Sequence, residues 1–187
     1  MVSLRSLRLT IFLAELNGLQ LYAADVGNAY LEAKTREKVC VYGRPEFRDL
    51  GLEGHLLVFV RVLYGLKTSG ARWHDRFADT LREEGFAPCK ADTDVWMREK
   101  DGSYEYICVY VDDLAIAMKD LATFCEMLKS KHGIKLKGVG DLKYHLGCDF
   151  GRDLDKTYYY GPFKYVEKMM DLVSICLATS QWATPHP

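Results

Sequence analysis

The sequence lacks an excess of charge of either sign. Its 187 residues carry 25 lysines and arginines against 26 aspartates and glutamates, which gives a formal net charge of −1 and a pI of about 6.5. A chain with so little net charge produces no global field that would attract a polyanion. Any surface for nucleic acid must therefore be a local cluster of basic side chains.

The sequence also lacks the cysteine spacing of a metal site. Its six cysteines are scattered with no CxxC pair and no nearby histidine at ligand spacing, so we expect no zinc site. Several lie within apolar runs, where a free thiol behaves as a small buried hydrophobe. This use of cysteine favours a reducing intracellular compartment, the cytoplasm or the nucleus, over secretion.

Long apolar segments are missing as well. The apolar residues near the N-terminus are interrupted by Arg5, Arg8 and Glu15, so we predict neither a signal peptide nor a membrane span, and no membrane partner. No internal repeat is visible. Because 49% of the residues are hydrophobic, the chain can still bury a sizeable core.

The apolar pattern predicts an α+β chain in which strands alternate with helices. Helical spacing predicts four helices, over 4–16, from just after Ser69 to Gly85, from a cap at Asp120 to Gly133, and from Pro162 to about Val173. Runs rich in β-branched and aromatic residues predict strands over 19–26, 35–42, 56–64, 94–98, 134–138, 142–150 and 158–160. The run 104–118 is predicted to form a hairpin whose turn contains Asp112 and Asp113.

Three aspartates stand at the ends of apolar strands. Asp112 and Asp113 interrupt the run YEYICVYVDDLAIAM, and Asp25 ends the strand predicted over 19–26. Carboxylates beside like charges are costly unless turn chemistry, a cation or catalysis compensates them. A small carboxylate cluster is what Mg²⁺ needs for phosphoryl transfer, because the ion leaves its other positions to water and substrate phosphates.

A plainer interpretation remains open from these residues alone. An Asp-Asp pair is common in solvated hairpin turns, and Asp25 with Gly27 could merely begin a turn. Neighbouring motifs decide between the two interpretations.

Three ordered motifs, DVGNAYLEA (25–33), LYGLKTSGARW (63–73) and YVDD (110–113), resemble the reverse transcriptase of copia-type retrotransposons. Three further blocks, GFAPCKADTDVW (85–96), GDLKYHLGCDF (140–150) and the segment from YVEKMMDLVS (165–174) to ATP (183–185), are also similar to that family. The resemblance covers essentially the whole chain. It implies a palm-like polymerase core, with an antiparallel sheet packed on helices and partial fingers.

The resemblance implies roles for the acidic residues. Asp25, Asp112 and Asp113 match the catalytic carboxylates of the family and would hold two Mg²⁺ ions, with Mn²⁺ as a substitute. Asp25 and Asp112 are expected to be the main ligands, and Asp113 to contribute chiefly charge. The implied substrates are deoxynucleoside triphosphates and a primer on an RNA or DNA template.

Further residues are implied to contact these substrates. Tyr30 is similar to the aromatic residue that stacks beneath the incoming sugar and excludes a 2′-hydroxyl, and Val26 and Gly65 are expected beside the nucleotide. The predicted nucleic-acid contacts are Lys67, Ser69, Arg72 and Tyr110. Each of these could also be an ordinary packing or solvated residue. Trp73, Phe77 and Trp96 are predicted to be packing residues, although aromatic rings in a nucleic-acid groove can also stack on bases.

The resemblance also predicts how the chain is organised. We expect a single domain over 1–187, with a palm core and partial fingers at about 19–150 and a strand and helix at about 151–187 leading toward a connection region. The chain begins 24 residues before Asp25, so most of the fingers would lie outside it, as would integrase and RNase H modules. A catalytically inactive fragment that at most binds nucleic acid is the alternative, and a different palm-fold enzyme such as a cyclase is disfavoured because LYGLKTSGARW would have no role there.

Overall fold

The computed structural model describes residues 1–179 of the chain, with side chains described through Val173. The chain divides into two compact units, the first comprising Met1–Val139 and the second beginning at Gly140. The prediction of a single domain stays a prediction. Within the described residues, no helix combines the length and apolar character that crossing a membrane requires.

The structure contains four α-helices and eleven strands in its described part. The helices are α1 (Leu4–Leu16), α2 (Ser69–Glu83), α3 (Leu121–His132) and α4 (Phe163–Thr179). The strands are β1 (Gln20–Val26), β2 (Cys40–Tyr42), β3 (Leu56–Val58), β4 (Ala87–Pro88), β5 (Val95–Lys100), β6 (Ser103–Tyr110), β7 (Asp113–Met118), β8 (Leu136–Asp141), β9 (Tyr144–His145), β10 (Cys148–Arg152) and β11 (Tyr158–Gly161). Short 3₁₀ helices span Ala29–Glu32 and Pro45–Leu50.

One six-stranded sheet organises the first unit. Its order is β4-β5-β6-β7-β1-β8, so β1 lies beside β7 although the 86 residues 27–112 separate the end of β1 from the start of β7. The ladders β4–β5, β5–β6, β6–β7 and β7–β1 are all antiparallel. This confirms the predicted α+β fold with an antiparallel sheet packed on helices.

Both faces of the central strands are buried, which explains why 106–109 of β6 and 114–118 of β7 are continuous runs without a charged residue. Ile107 and Ile116 belong to the cluster that includes α2 and α3, whereas Tyr106 and Ala117 pack with Ala14 of α1. Successive residues of a strand point to opposite faces, so a strand covered on both sides needs apolar residues at every position. Each fully buried isoleucine contributes about 1.5–3 kcal/mol of hydrophobic stabilisation.

Local signals set the helix ends. Ser6 donates its backbone N–H to Ser3 Oγ at the start of α1 (3.1 Å), and Thr123 donates to Asp120 Oδ1 at the start of α3 (3.0 Å). Gly133 ends α3 with a φ of 73°, a conformation that glycine adopts without strain. These ends confirm the predicted helices and the predicted Asp120 cap.

The two strands predicted over 35–42 and 56–64 are much shorter in the structure. Only β2 and β3, three residues each, form a ladder, and they pair with each other alone. Residues 35–39 and 59–64 are irregular, apart from a single bridge between Lys34 and Arg61. Tyr42 is 72% exposed, so the β2–β3 pair has no core to extend it. We refer to residues 40–58 as the ribbon.

The second unit has a three-stranded sheet of order β11-β10-β9, followed by α4. The single strand predicted over 142–150 is wrong, because a turn at Leu146 and Gly147 divides it into β9 and β10. Both turn residues have positive φ, 50° and 78°, as a tight two-residue hairpin requires. The ring of Phe150 stacks on that of Tyr160 at 6.0 Å, and α4 extends past the predicted end at Val173.

Candidate nucleotidyl-transfer site

Asp25 and Asp113 face each other across two neighbouring strands. They are register partners in the β1–β7 ladder, with Asp25 one residue before the end of β1 and Asp113 at the start of β7. Side chains directly opposite in an antiparallel pair lie on the same face with Cβ atoms about 4.5–5.5 Å apart. The sheet therefore brings together two carboxylates that are 88 positions apart in the sequence.

The turn between β6 and β7 consists of Val111 and Asp112. Tyr110 and Asp113 are paired on either side of it, so Asp113 is the first residue of β7 and does not lie in the turn as predicted. Val111 has a φ of 59°, which is strained for a β-branched residue and persists only where the surroundings enforce it. The hydrogen bond from Val26 N–H to Asp112 O, at 2.8 Å, fixes the turn to β1.

Trp73 holds the same turn from the other side. Its Nε1–H donates to the carbonyl oxygen of Val111 at 2.7 Å, and the side chain is buried with 1% exposure. Trp73 was predicted as a packing residue, and this hydrogen bond to the turn was not predicted. Its position at the end of LYGLKTSGARW was the one available signal, because that motif accompanies YVDD in the resemblance.

The electrostatics of the site favour binding of a cation. Burial, followed by the charges of Asp112 and Asp113, raises the pKa of Asp25, and nearby Lys137 partly opposes this effect. Burial and then Asp112 raise the pKa of Asp113. A positive ion bound between these carboxylates would offset their mutual repulsion and stabilise their ionised forms.

Sequence reasoning missed Tyr64, which lies at this acidic end. Burial raises the pKa of Tyr64, and the next largest cause is Asp112, followed by Tyr30 and Asp25. Its ring packs against that of Tyr30 with centroids 4.5 Å apart. Tyr64 belongs to LYGLKTSGARW, so this motif and DVGNAYLEA meet through two tyrosines beside the carboxylates.

Lys137 was also missed. A Cβ placed on Gly27 would lie only 2.4 Å from Lys137 Cε, so the glycine leaves the space that the lysine occupies. Gly27 N–H also donates to Lys135 O at 3.2 Å, which joins the end of β1 to the start of β8. The motif DVG thus has a packing reason, but Lys137 itself lies in a segment with no motif that pointed to it.

The carboxylates fit a metal ion that takes only part of its ligands from the protein and the rest from substrate oxygens. Among residues 1–179, no three or more His, Cys, Asp and Glu side chains are arranged as a group that could hold an ion on their own. Mg²⁺, however, takes only one or two protein carboxylates and retains waters or phosphates at its other positions. The adjacent Asp25 and Asp113, the neighbouring Asp112 and their mutual repulsion match that requirement.

The residues predicted beside the nucleotide occupy different environments. Tyr30 is half-buried against the core and against Tyr64. The Val26 side chain is buried, and its backbone N–H is used by Asp112 O. Gly65 is exposed with a φ of 92°, which suits glycine. Their roles toward a nucleotide stay predictions.

The predicted nucleic-acid contacts also differ among themselves. Ser69 is buried, and its hydroxyl donates to Leu63 O at 2.5 Å, which closes the loop before α2. Tyr110 is half-buried beside Asp113 in the β6–β7 ladder. Lys67 is exposed, whereas Arg72 is half-buried and pairs with Asp75 at 3.4 Å.

A cleft of about 1020 Å³ gathers the basic residues. Its lining contains five basic residues and three acidic ones: Lys34, Arg36, Arg61, Arg72 and Arg76, with Glu32, Asp75 and Asp79. Lys67 does not line it. Arg76 is held inward by its bond to His132 O at 3.1 Å, so the cleft wall is partly fixed by structural contacts.

Comparisons with known proteins agree with this arrangement. Residues 1–185 match the family model described as reverse transcriptase (RNA-dependent DNA polymerase). The chain is 28% identical over 129 residues to the Retrovirus-related Pol polyprotein from transposon RE2 of Arabidopsis thaliana, which covers 68% of this chain and 9% of that protein. It is 28% identical over 170 residues to the Transposon Ty1-DR4 Gag-Pol polyprotein of Saccharomyces cerevisiae, which covers 89% of this chain and 10% of that protein.

The chain thus spans about a tenth of the length of these curated relatives. The family match covers both compact units and includes all three aspartates. The relatives are transposon Pol polyproteins, as the resemblance to the copia type predicted. The chain therefore belongs to the reverse transcriptase (RNA-dependent DNA polymerase) family.

Proposed function

We propose that this chain is the nucleotidyl-transfer core of a retrotransposon reverse transcriptase, which adds deoxynucleotides to a primer 3′-hydroxyl on an RNA or DNA template. The observation that carries the proposal is the register pairing of Asp25 with Asp113, with Asp112 in the adjoining turn. Acidic residues separated by nearly half the chain meet at one end of a buried sheet. A solvated hairpin turn alone would not need that partner strand.

Asp25 and Asp112 would hold two Mg²⁺ ions, or Mn²⁺ in their place, and Asp113 would add negative charge. Such ions, when bound, activate the attacking hydroxyl and neutralise the leaving pyrophosphate. Tyr30 would lie under the incoming sugar, with Tyr64 supporting its ring from the side. Lys137 would place a positive charge near Asp25, at the end where phosphate charge accumulates.

Nucleic acid would contact the basic cleft along α2. Phosphate contacts position a duplex or single strand without reading its sequence, which suits an enzyme that copies any template. Integrase and RNase H modules would act alongside this core in a longer Pol polyprotein, inside the cell in the cytoplasm or the nucleus. The names of the relatives, which are Pol and Gag-Pol polyproteins, support a longer protein around this core.

Primer extension with Mg²⁺ and deoxynucleotides tests the proposal. Loss of a residue that only supports a metal ligand typically lowers activity roughly 10- to 100-fold. Asp112→Asn removes a direct ligand, so we expect it to reduce primer extension by more than that. Asp49→Asn, which neutralises an exposed acid of the ribbon, is the matched control and should extend normally. Extension by Asp112→Asn at the unmodified rate would refute the assignment.

The second candidate is an inactive member that binds nucleic acid only. It is favoured by the basic cleft, because Arg61, Arg72 and Arg76 could contact phosphates without any metal ion. It predicts that the unmodified chain binds a primed template yet fails to extend it at any Mg²⁺ or Mn²⁺ concentration. Extension that depends on Asp112 excludes it.

A further inference from the structure

We infer that Trp73 is a positioning residue for the metal-binding carboxylates, acting through the hydrogen bond from its indole N–H to Val111 O. This inference rests on the proposed function. The bond attaches helix α2 to the two-residue turn that carries Asp112. Trp73 touches neither nucleotide nor ion in this role, and its effect passes through the Val111–Asp112 peptide.

The turn needs such an anchor because its backbone is strained. A valine at a φ of 59° crowds its branched side chain against the backbone, and a conformation of this kind persists only when neighbouring contacts enforce it. Two such contacts come from outside the hairpin. Val26 N–H reaches Asp112 O from β1 at 2.8 Å, and the Trp73 indole reaches Val111 O from α2 at 2.7 Å.

Trp73 is itself held rigidly. Its side chain is 1% exposed, and its ring stacks on Phe77 one helical turn later, with centroids 5.1 Å apart and planes 22° apart. A buried, stacked ring has few alternative rotamers, so its N–H is directed at one point. The position of Val111 O therefore follows the position of α2.

The structure also leaves space for the turn to move if the bond is lost. A cavity of about 230 Å³ borders both Trp73 and Val111. Without the indole donor, Val111 could relax from its strained φ toward this space. Asp112 would then shift relative to Asp25, whose own strand is fixed by the β1–β7 ladder.

This arrangement explains why LYGLKTSGARW accompanies YVDD. The motif ends with Trp73, which holds the YVDD turn, and it includes Tyr64 beside the same acidic residues. Its next-to-last residue, Arg72, lines the basic cleft. One helix thus contributes to the proposed template surface and to the geometry of the proposed metal site.

The decisive variant is Trp73→Phe, which keeps an aromatic ring and removes the N–H. Trp96→Phe is the matched control, because Trp96 is also buried, at 2% exposure, and lines the same cavity, whereas the hydrogen bond to Val111 O comes from Trp73. We expect Trp73→Phe to raise the Mg²⁺ concentration at half-maximal primer extension roughly 3- to 10-fold, the effect of one hydrogen bond. Trp96→Phe should leave that concentration unchanged even if its melting temperature falls equally.

A second measurement needs no catalysis. The chain has three tryptophans, so NMR spectra should show three indole N–H resonances, which single substitutions to phenylalanine can assign. Addition of Mg²⁺ to the metal-free chain should shift the Trp73 indole resonance and leave that of Trp96 in place. The shift should be absent in Asp112→Asn. This test uses the unmodified tryptophans and stands even if Trp73→Phe fails to fold.

The outcomes separate this inference from the proposed function. If Trp73→Phe and Trp96→Phe have the same Mg²⁺ dependence, or if Mg²⁺ leaves the Trp73 resonance unmoved, the inference is wrong. If instead Asp112→Asn extends primers normally, the proposed metal site itself is wrong, whatever Trp73 does.

Discussion

The β1–β6–β7 core and the ribbon are both built from short antiparallel strands, yet they differ in what holds them. Ile107, Leu114 and Ile116 in the core are fully buried between helices on the two faces of the sheet. In the ribbon, Tyr42 is 72% exposed and Leu56 57% exposed. Backbone hydrogen bonds form in both regions, but only the core adds side-chain burial.

The difference bears on where chemistry can be located. A metal site tolerates displacements of only about 0.5 Å, so its ligands need elements that are fixed by packing. Asp25, Asp112 and Asp113 stand at the ends of the buried strands. The ribbon offers apolar side chains and no comparable fixation, which suits a surface contact better than catalysis.

Truncation of one leucine in each region tests the comparison most strongly. Leu114→Ala should lower the free energy of unfolding by about 2–5 kcal/mol, because it leaves a cavity in the packed core. Leu56→Ala, the same change at an exposed ribbon position, should cost no more than about 0.5 kcal/mol. Chemical denaturation measures both, and equal losses would show that the ribbon is packed in solution.

Removal of one arginine in each region sharpens the comparison on nucleic-acid binding. Arg72→Ala, on α2 in the basic cleft, should reduce the slope of log affinity against log salt by roughly 0.7–0.9, the effect of one phosphate contact. Arg44→Ala, at an exposed ribbon position, should leave the slope unchanged. Titration of a primed template at several salt concentrations measures this.

Equal slopes for Arg72→Ala and the unmodified chain would exclude the cleft as the phosphate-binding surface. Lys67→Ala provides a further comparison, since Lys67 is predicted from the motif but does not line the cleft. A slope change for Lys67→Ala alone would place the nucleic acid outside the cleft.

The smallest expected effect concerns pH. The folded-state pKa of Asp113 is raised above its ordinary 3.8, so the folded chain binds more protons than the unfolded chain between the two values, and stability falls as pH rises through that window. Without divalent ions, Asp113→Asn should therefore be the more stable chain at pH 7, by less than about 1 kcal/mol, the range for exposed charge pairs. The difference in unfolding free energy between Asp113→Asn and the unmodified chain should decrease as the pH falls toward 4.

Thermal melts across this pH range, with and without Mg²⁺, measure the effect. Asp49→Asn on the ribbon is the control and should show no such trend. Added Mg²⁺ should remove the advantage of Asp113→Asn by stabilising the unmodified chain. An advantage that persists at all pH values and Mg²⁺ concentrations would mean that repulsion at the acidic site is not its cause.

The sequence predicted the core far better than it predicted the ribbon. Continuous apolar runs such as 104–118 specify buried strands, and the Asp120 and Gly133 signals set the ends of α3 as expected. In the segments 35–42 and 56–64, apolar residues suggested long strands, but β-propensity without burial sustains only three residues each. The division of 142–150 at Leu146 was missed because leucine rarely adopts a positive φ.

The sequence by itself determined the family, the ends of α1 and α3 and the three aspartates, because these depend on residue types in a fixed order and on local backbone preferences. Tertiary structure alone decided that Asp113 is paired with Asp25 in the sheet, that Lys137 and Tyr64 lie close to them, and that Trp73 holds the turn. Each of these contacts joins residues dozens of positions apart, and only the packing of helices on the sheet fixes which of them meet.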